Sequence, residues 1–199
     1  MSLHQAEIAA AAARLVVEDG LEYAAAKRKA ARDLGRRSGR AGELPGNEEV
    51  EDEVRAYLEL FCADTQPAEL RALRETARVW MHRLAEFRPH LAGAVWRGTA
   101  TRRSAVLIDL YCDDSKAAEI ALINAGVDYD VASIERPGAP ETSVLIVGSR
   151  NAELGEIVTL HLVVNEHDAL RGALKPDARG RSWRGDLVAL ERLLAEGDA

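Results

Sequence analysis

The chain reads as an α+β protein, helical in its first half and strand-rich, with flanking helices, in its second. Three observations predict this. Apolar residues repeat at helical spacing through the first ninety positions. After Pro89 they regroup into short runs rich in Val, Ile and Leu, as strands require. Two helix-like segments, Ser115 to Ala125 and Gly185 to Glu196, are set among those runs. The expected organisation is a helical domain over 1–89 and an α/β domain over 90–199.

Each element has its own sequence signal. Ile8, Leu15 and Val16 mark a first helix that stops at Asp19-Gly20, where glycine suits the left-handed position after a helix end. A second helix spans Leu21 to Leu34, ahead of a link from Gly35 to Gly46 rich in Gly, Arg and Ser. In the third, Val50, Val54, Tyr57, Leu58 and Phe61 fall at i, i+4, i+7, i+8 and i+11 and make one apolar stripe. A fourth begins near Pro67, which a first turn tolerates, and presents Leu70, Leu73, Ala77, Trp80, Met81 and Leu84 before stopping at Arg88-Pro89. Such stripes are core, and nothing in them requires a cofactor.

Strands are expected near Leu91 to Arg97, Ala105 to Cys112, Val127 to Ile134, Thr142 to Gly148 and Ile157 to Val164. The Arg136 to Pro140 stretch, RPGAP, is a turn or loop between two of them. Lys175 to Arg184, KPDARGRSWR, is a basic loop closing before the last helix. It either brings Arg179, Arg181 and Arg184 over a phosphate site or stays a mobile surface loop.

Composition narrows the function classes. At 199 residues and 47% hydrophobic, the chain is long enough to bury a real core. Its 30% charged fraction argues for a soluble protein, and no apolar run approaches the roughly 18 residues that span a bilayer. The N-terminal MSLHQAEIAA lacks the basic-then-apolar order of a secretory signal, so the expected location is cytoplasmic, with no membrane partner. Cys62 and Cys112 read as reduced, buried thiols rather than a disulfide or zinc site. His4, His82, His90, His161 and His167 show no metal-ligand spacing.

With a net charge of −7, nothing in the overall balance suggests a general nucleic-acid coat. Locally, the Lys27–Arg40 cluster gathers Lys27, Arg28, Lys29, Arg32, Arg36, Arg37 and Arg40 against Asp33 alone. Arg28, Arg32 and Arg36 repeat every four residues and line one helical face. That face would meet the phosphates of RNA, DNA or a nucleotide. The competing reading is solvation, or pairing with the acidic run Glu48, Glu49, Glu51, Asp52 and Glu53. No aromatic residue is interleaved for base stacking.

The most informative stretch is Gly93 to Asp114, GAVWRGTATRRSAVLIDLYCDD. Hydrophobic residues lead into a turn of glycine and small hydroxyls, then an arginine-bearing loop, then an apolar strand holding a carboxylate. This outline resembles the nucleotidyltransferase superfamily, the group that includes polymerase beta and the poly(A) polymerases. The pattern there is a Gly-Gly or Gly-Ser step, a loop, and a strand with two aspartates one residue apart. The Arg97 to Ala100 run and Ser104 also resemble the loop of many bacterial members. The resemblance covers roughly Leu91 to Asp168 and implies a nucleotidyltransferase-like mixed β-sheet. It also implies Mg²⁺, since two ions roughly 3.5–4 Å apart must be held by carboxylates while an in-line displacement proceeds.

Three registers can be read, and none keeps both aspartates. With Gly98-Thr99 as the step, Asp109 is the first acid and Tyr111 stands at the second. With Gly93-Ala94 as the step, Leu107 takes the first place and Asp109 the second. With Ser104 as the serine that often precedes the pair, Ala105 and Leu107 fall where both acids belong. Asp113 is too distant to complete a pair, standing roughly 13 Å from Asp109 along a strand. Asp113 and Asp114 read instead as the strand end and a helix cap. A third carboxylate, expected on a later strand, is replaced by His161 in the run IVTLHLVV, where Thr159, His161 and Val163 share one face.

The segments LPGNEEVEDEVRAYLELF, WMHRLAEFRPHLAGAVWRGTA and CDDSKAAEIALINAG further resemble an uncharacterised bacterial family, of which this chain would be a degenerate member. Some of its members carry the label UDP-N-acetylmuramate–alanine ligase. That label does not fit a short chain with no Gly-rich loop ending in Gly-Lys-Ser/Thr.

The resemblance implies roles. Arg97, Gly98, Thr99, Arg102, Arg103 and Ser104 would cradle a triphosphate, Asp109 would hold Mg²⁺, and His161 would line the cleft as an acid, base or phosphate contact. The other reading of Asp109 is an inward-facing carboxylate paired with Arg97 or Arg102, and that of His161 is a hydrogen-bonded, half-buried histidine. Three functions follow: a catalytically weak or inactive pseudoenzyme acting as a nucleotide-binding or protein-interaction module; an active Mg-dependent nucleotidyltransferase on a small molecule, RNA or protein; or a nucleic-acid-binding accessory protein using the basic cluster.

Overall fold

The computed structural model describes residues 2–35, 44–134, 141–177 and 179–197. The chain forms two compact units, one of residues 1–68 with 99–104, the other of residues 69–98 with 105–199.

In the first unit, α1 (Leu3–Asp19) starts on a capping box: Ser2 Oγ accepts from the Gln5 amide and Gln5 Oε1 from the Ser2 amide. Gly20 ends it at φ 68°, as its sequence position predicts. Next come α2 (Tyr23–Asp33) and α3 (Asn47–Phe61). Ala9, Ala12 and Ala13 of α1 and Ala26, Ala30 and Ala31 of α2 are buried with Val50, Val54 and Leu58 of α3. The α3 stripe ends sooner than its periodicity predicts. Phe61, the last residue of the helix, is 69% exposed, its ring centroid 4.6 Å from that of Tyr57.

The long helix α4 (Gln66–Arg83) passes into the second unit after its first turn. There β1 (His90–Ala92) is only three residues long, and the expected strand to Arg97 is instead a short helix, α5 (Gly93–Arg97). Glycines bracket that helix. Gly93 at φ 66° turns the chain out of the sheet and Gly98 at φ 79° closes the turn. The following elements match their apolar runs: β2 (Val106–Cys112), α6 (Ala117–Asn124), β3 (Asp130–Ile134), β4 (Thr142–Asn151) and β5 (Glu156–Glu166). A one-turn helix α7 (Leu170–Ala173), a two-residue strand β6 (Arg184–Gly185) and α8 (Leu187–Glu196) complete the unit.

The sheet order is β3-β4-β5-β2-β1-β6, with β2 and β5 parallel and every other neighbouring pair antiparallel. The architecture is therefore α+β on a mixed sheet. Register separates its faces. Ile108 and Leu110 of β2, Leu160 and Leu162 of β5, and Leu145 and Val147 of β4 lie on one face and are fully buried. The helix α4 is tied to that face where Asn151 Nδ2 donates to Ala72 O at 3.1 Å and Thr76 Oγ1 at 2.8 Å, and Trp80 Nε1 to Ser149 Oγ at 2.9 Å. The opposite face carries Leu107, Asp109 and Tyr111 beside His161 and Val163.

Candidate functional site

Asp109 lies in the middle of β2 with 6% of its surface exposed. Its register partners are Val163 on β5 and His90 on β1. The same-face neighbour two residues earlier is Leu107, which pairs with His161. The positions around Asp109 that resemblance would give to further acids thus hold Leu107, His161 and Val163. The charge facing Asp109 is cationic: Arg184 Nε sits 3.3 Å from its Oδ2. Arg184 Nη1 also donates to Tyr111 Oη at 3.2 Å. Burial, followed by the Asp109 charge, raises the Tyr111 hydroxyl above its ordinary value, with Arg184 opposing. His90 packs edge-on against the Tyr111 ring at 5.4 Å, its Nδ1 2.9 Å from Arg88 O.

β6 positions that guanidinium. Arg184 pairs with Ala92, and the next residue, Gly185, lies under the Trp96 indole so closely that a Cβ would fall 2.0 Å from the ring. Trp96 Nε1 donates to Ser182 O at 3.0 Å, and Asp186 caps α8 by accepting from the Ala189 amide at 2.9 Å.

Arg97, a candidate phosphate contact, is 8% exposed and turned towards this last loop. Its Nη1 donates to Ser182 O and its Nη2 to Asp177 Oδ2, each at 3.1 Å, and its guanidinium lies 4.4 Å from the Trp183 ring centroid. Asp177 Oδ1 accepts from the Arg179 and Arg181 amides at 2.9 and 2.8 Å. The described part of the basic loop is therefore fastened rather than loose. Gly98, in the same unit, has the Arg74 guanidinium beside it; Arg74 Nε donates to Val95 O at 3.2 Å.

Thr99, Arg102, Arg103 and Ser104 belong to the first unit. Thr99 is buried, its Oγ1 3.3 Å from Tyr23 Oη, and Ser104 Oγ accepts from the Thr101 amide at 3.1 Å. Arg103 Nη1 donates to Glu18 O at 2.6 Å, and Arg102 and Arg103 are exposed. The loop is thus built around contacts with α1 and α2. His161 is half-buried on the polar face of the sheet, in the second unit, diagonal to Asp109 and sharing the face expected from its alternation.

The residues beside Asp109 do not fit a magnesium pair. A two-metal centre needs bridging carboxylates; Asp109 already faces a guanidinium, its neighbours on this face, Leu107, His161 and Val163, add no acid, and Asp130, on the same face, lies three strands away on β3. Among the described residues no group of three or more His, Cys, Asp or Glu side chains is placed to hold a metal.

Outside this face, Lys27 Nζ donates to Pro45 O at 3.0 Å and Asn47 Oδ1 at 2.8 Å, and burial lowers its pKa. Lys29 pairs with Asp19 at 2.9 Å, while Arg28 and Arg32 are exposed; Arg36, Arg37 and Arg40 lie outside the described residues. Within the acidic run, Glu51 is fully buried and pairs with Arg55 at 2.8 Å, and Glu49 accepts from the Gly46 amide. The two cysteines are half-buried rather than buried, and desolvation followed by the Asp114 and Asp113 charges raises the Cys112 thiol. Asp114 Oδ1 accepts from the Lys116 amide at 2.9 Å in the turn leading into α6. No described helix is long and apolar enough to cross a membrane.

Sequence reasoning singled out Asp109, Arg184 and Tyr111 separately and missed Asp177, Trp183 and His90 as neighbours of the site. Only the acid and aromatic content of KPDARGRSWR offered a signal for the first two.

No protein-family profile matches the chain, and no curated protein matches it. Solved structures do. Cid1 in complex with the UTP analogue UMPNPP is 16% identical at a TM-score of 0.35, over 58% of this chain and 36% of that one. Cid1 poly(U) polymerase with MgGTP bound is 14% identical at 0.33, over 51% and 33%. A cytoplasmic RNA terminal U-transferase is 18% identical at 0.33, over 56% and 34%. The matches span about a third of the length of those structures.

Proposed function

We propose that this is a nucleotidyltransferase-like protein that keeps the mixed sheet without two-metal chemistry and serves as a nucleotide-binding module. One observation carries the reading: Asp109, the carboxylate that the motif sets on the second strand, has Leu107, Val163 and His161 around it and Arg184 against it. Phosphoryl chemistry is almost entirely positioning plus charge stabilisation of an in-line transfer. A carboxylate paired with a guanidinium, with no second acid beside it, lacks the means to hold the paired cations that do this. The face retains groups suited to an anion: the Arg184 guanidinium, whose side chain is 28% exposed, and the half-buried His161 ring.

Isothermal titration with each of the four nucleoside triphosphates, alongside an assay for pyrophosphate release, tests the reading. Weak binding, in the high-micromolar to millimolar range, without pyrophosphate release is expected. Mg-dependent release that disappears in Asp109→Asn would overturn it in favour of an active enzyme. Failure of every nucleotide to bind would leave a protein-interaction role for the same sheet.

A further inference from the structure

We propose that the Arg184 guanidinium is the resident cation of the sheet's polar face, filling beside Asp109 the charge role of a divalent ion, so that polyphosphate binds there without a metal. The anion half of this statement rests on the nucleotide-binding reading above. The cation half rests on geometry alone.

A buried carboxylate in mid-sheet needs a countercharge. Asp109 is 6% exposed and finds one 3.3 Å away. The backbone that carries this countercharge is held in place, with Arg184 paired to Ala92 in β6, the adjoining Gly185 seated under Trp96 and Asp186 capping α8, and Tyr111 Oη holds the guanidinium itself at 3.2 Å. An ion bound to Asp109 would sit about 2.1 Å from a carboxylate oxygen, and so within a few ångströms of a fixed positive charge. Leu107 and Val163 offer it no further ligand. The guanidinium has five N–H groups in a planar fork, and its side chain is 28% exposed. Nε forms an ion pair with Asp109 without a hydrogen bond and Nη1 donates to Tyr111, so the fork still has N–H groups of the kind that suit phosphate oxygens.

Two measurements test this on the full chain. The first follows Mn²⁺-induced broadening of backbone amide resonances in β2 and β5 for the wild type, Arg184→Gln and Arg184→Lys. The wild type and Arg184→Lys should stay sharp around Asp109, while Arg184→Gln should broaden at roughly tenfold lower Mn²⁺ because the repelling charge is gone. Mn²⁺ broadening of β2 around Asp109 in the wild type overturns the inference, so the wild-type spectrum decides even where the glutamine variant does not fold. The second measures inorganic tripolyphosphate binding in EDTA and in Mg²⁺. Equal affinity within about twofold supports metal-free binding, and binding that appears only with Mg²⁺ overturns it. Absence of binding in both buffers overturns the nucleotide reading, and the Mn²⁺ experiment then decides the place of Arg184 by itself.

Discussion

Asp177 has a side chain only 1% exposed. Burial alone would oppose its ionisation, yet the Arg181 amide, the Arg97 guanidinium and the Arg179 amide outweigh it and hold the carboxyl below its ordinary range. The sign of the linkage follows. A carboxylate whose folded pKa lies below its unfolded value contributes stability that is present above the unfolded value and lost as pH falls through the folded one. Asp177→Asn should therefore lower the melting temperature by a constant amount near neutrality, and the gap to the wild type should close as pH drops below the ordinary value of 3.8; thermal melts at stepped pH read this directly. At Gly185 the constraint is steric. Gly185→Ala would place a methyl group 2.0 Å from the Trp96 ring, so the strand or the indole must shift, at about 1–3 kcal/mol in urea denaturation.

At the scale of elements, one amide makes two of the hydrogen bonds that join α4 to the sheet. Asn151 is buried, donates to Ala72 O and Thr76 Oγ1, and accepts from the Leu154 amide in the turn between β4 and β5. Asn151→Ala leaves those partners buried and unsatisfied, an expected loss of about 2 kcal/mol by chemical denaturation. Elements of this kind were legible where one signal dominated. The run VLIDLYC has no competing reading, and the alternation of IVTLHLVV gives the face of His161 directly. The Leu91 to Arg97 run is strand-like in composition but crosses Gly93, whose positive φ takes the backbone into a helical turn. Phe61 departs from its stripe for a different reason: a periodic pattern marks which side of a helix faces inward, but not where the neighbouring helix ends.

Over the whole molecule, the two units differ in what fills them. Alanines make up half of the buried cluster of the first, whereas Leu, Ile and Val dominate the buried faces of β2, β4 and β5. Less apolar area is buried per residue where the side chains are small, so native-state hydrogen exchange should be faster in α1 and α2 than in β2 and β5. Uniform protection across both would count against this. The candidate site was the least legible part of the sequence because its decisive contact joins Asp109 to Arg184, and neither periodicity nor motif spacing pairs residues so far apart. The acid was visible and its partner's position was not. The fastening of the last loop also bears on proteolysis. Arg179, Arg181 and Arg184 are three trypsin-type cleavage points in six residues, yet Asp177 hooks the amides of the first two while Arg97 and Trp96 grip Ser182. Limited digestion at neutral pH should spare these bonds in the native chain and nick them readily in Asp177→Asn, so the resistance of a sequence that looks cuttable becomes a direct gauge of how often the loop lets go.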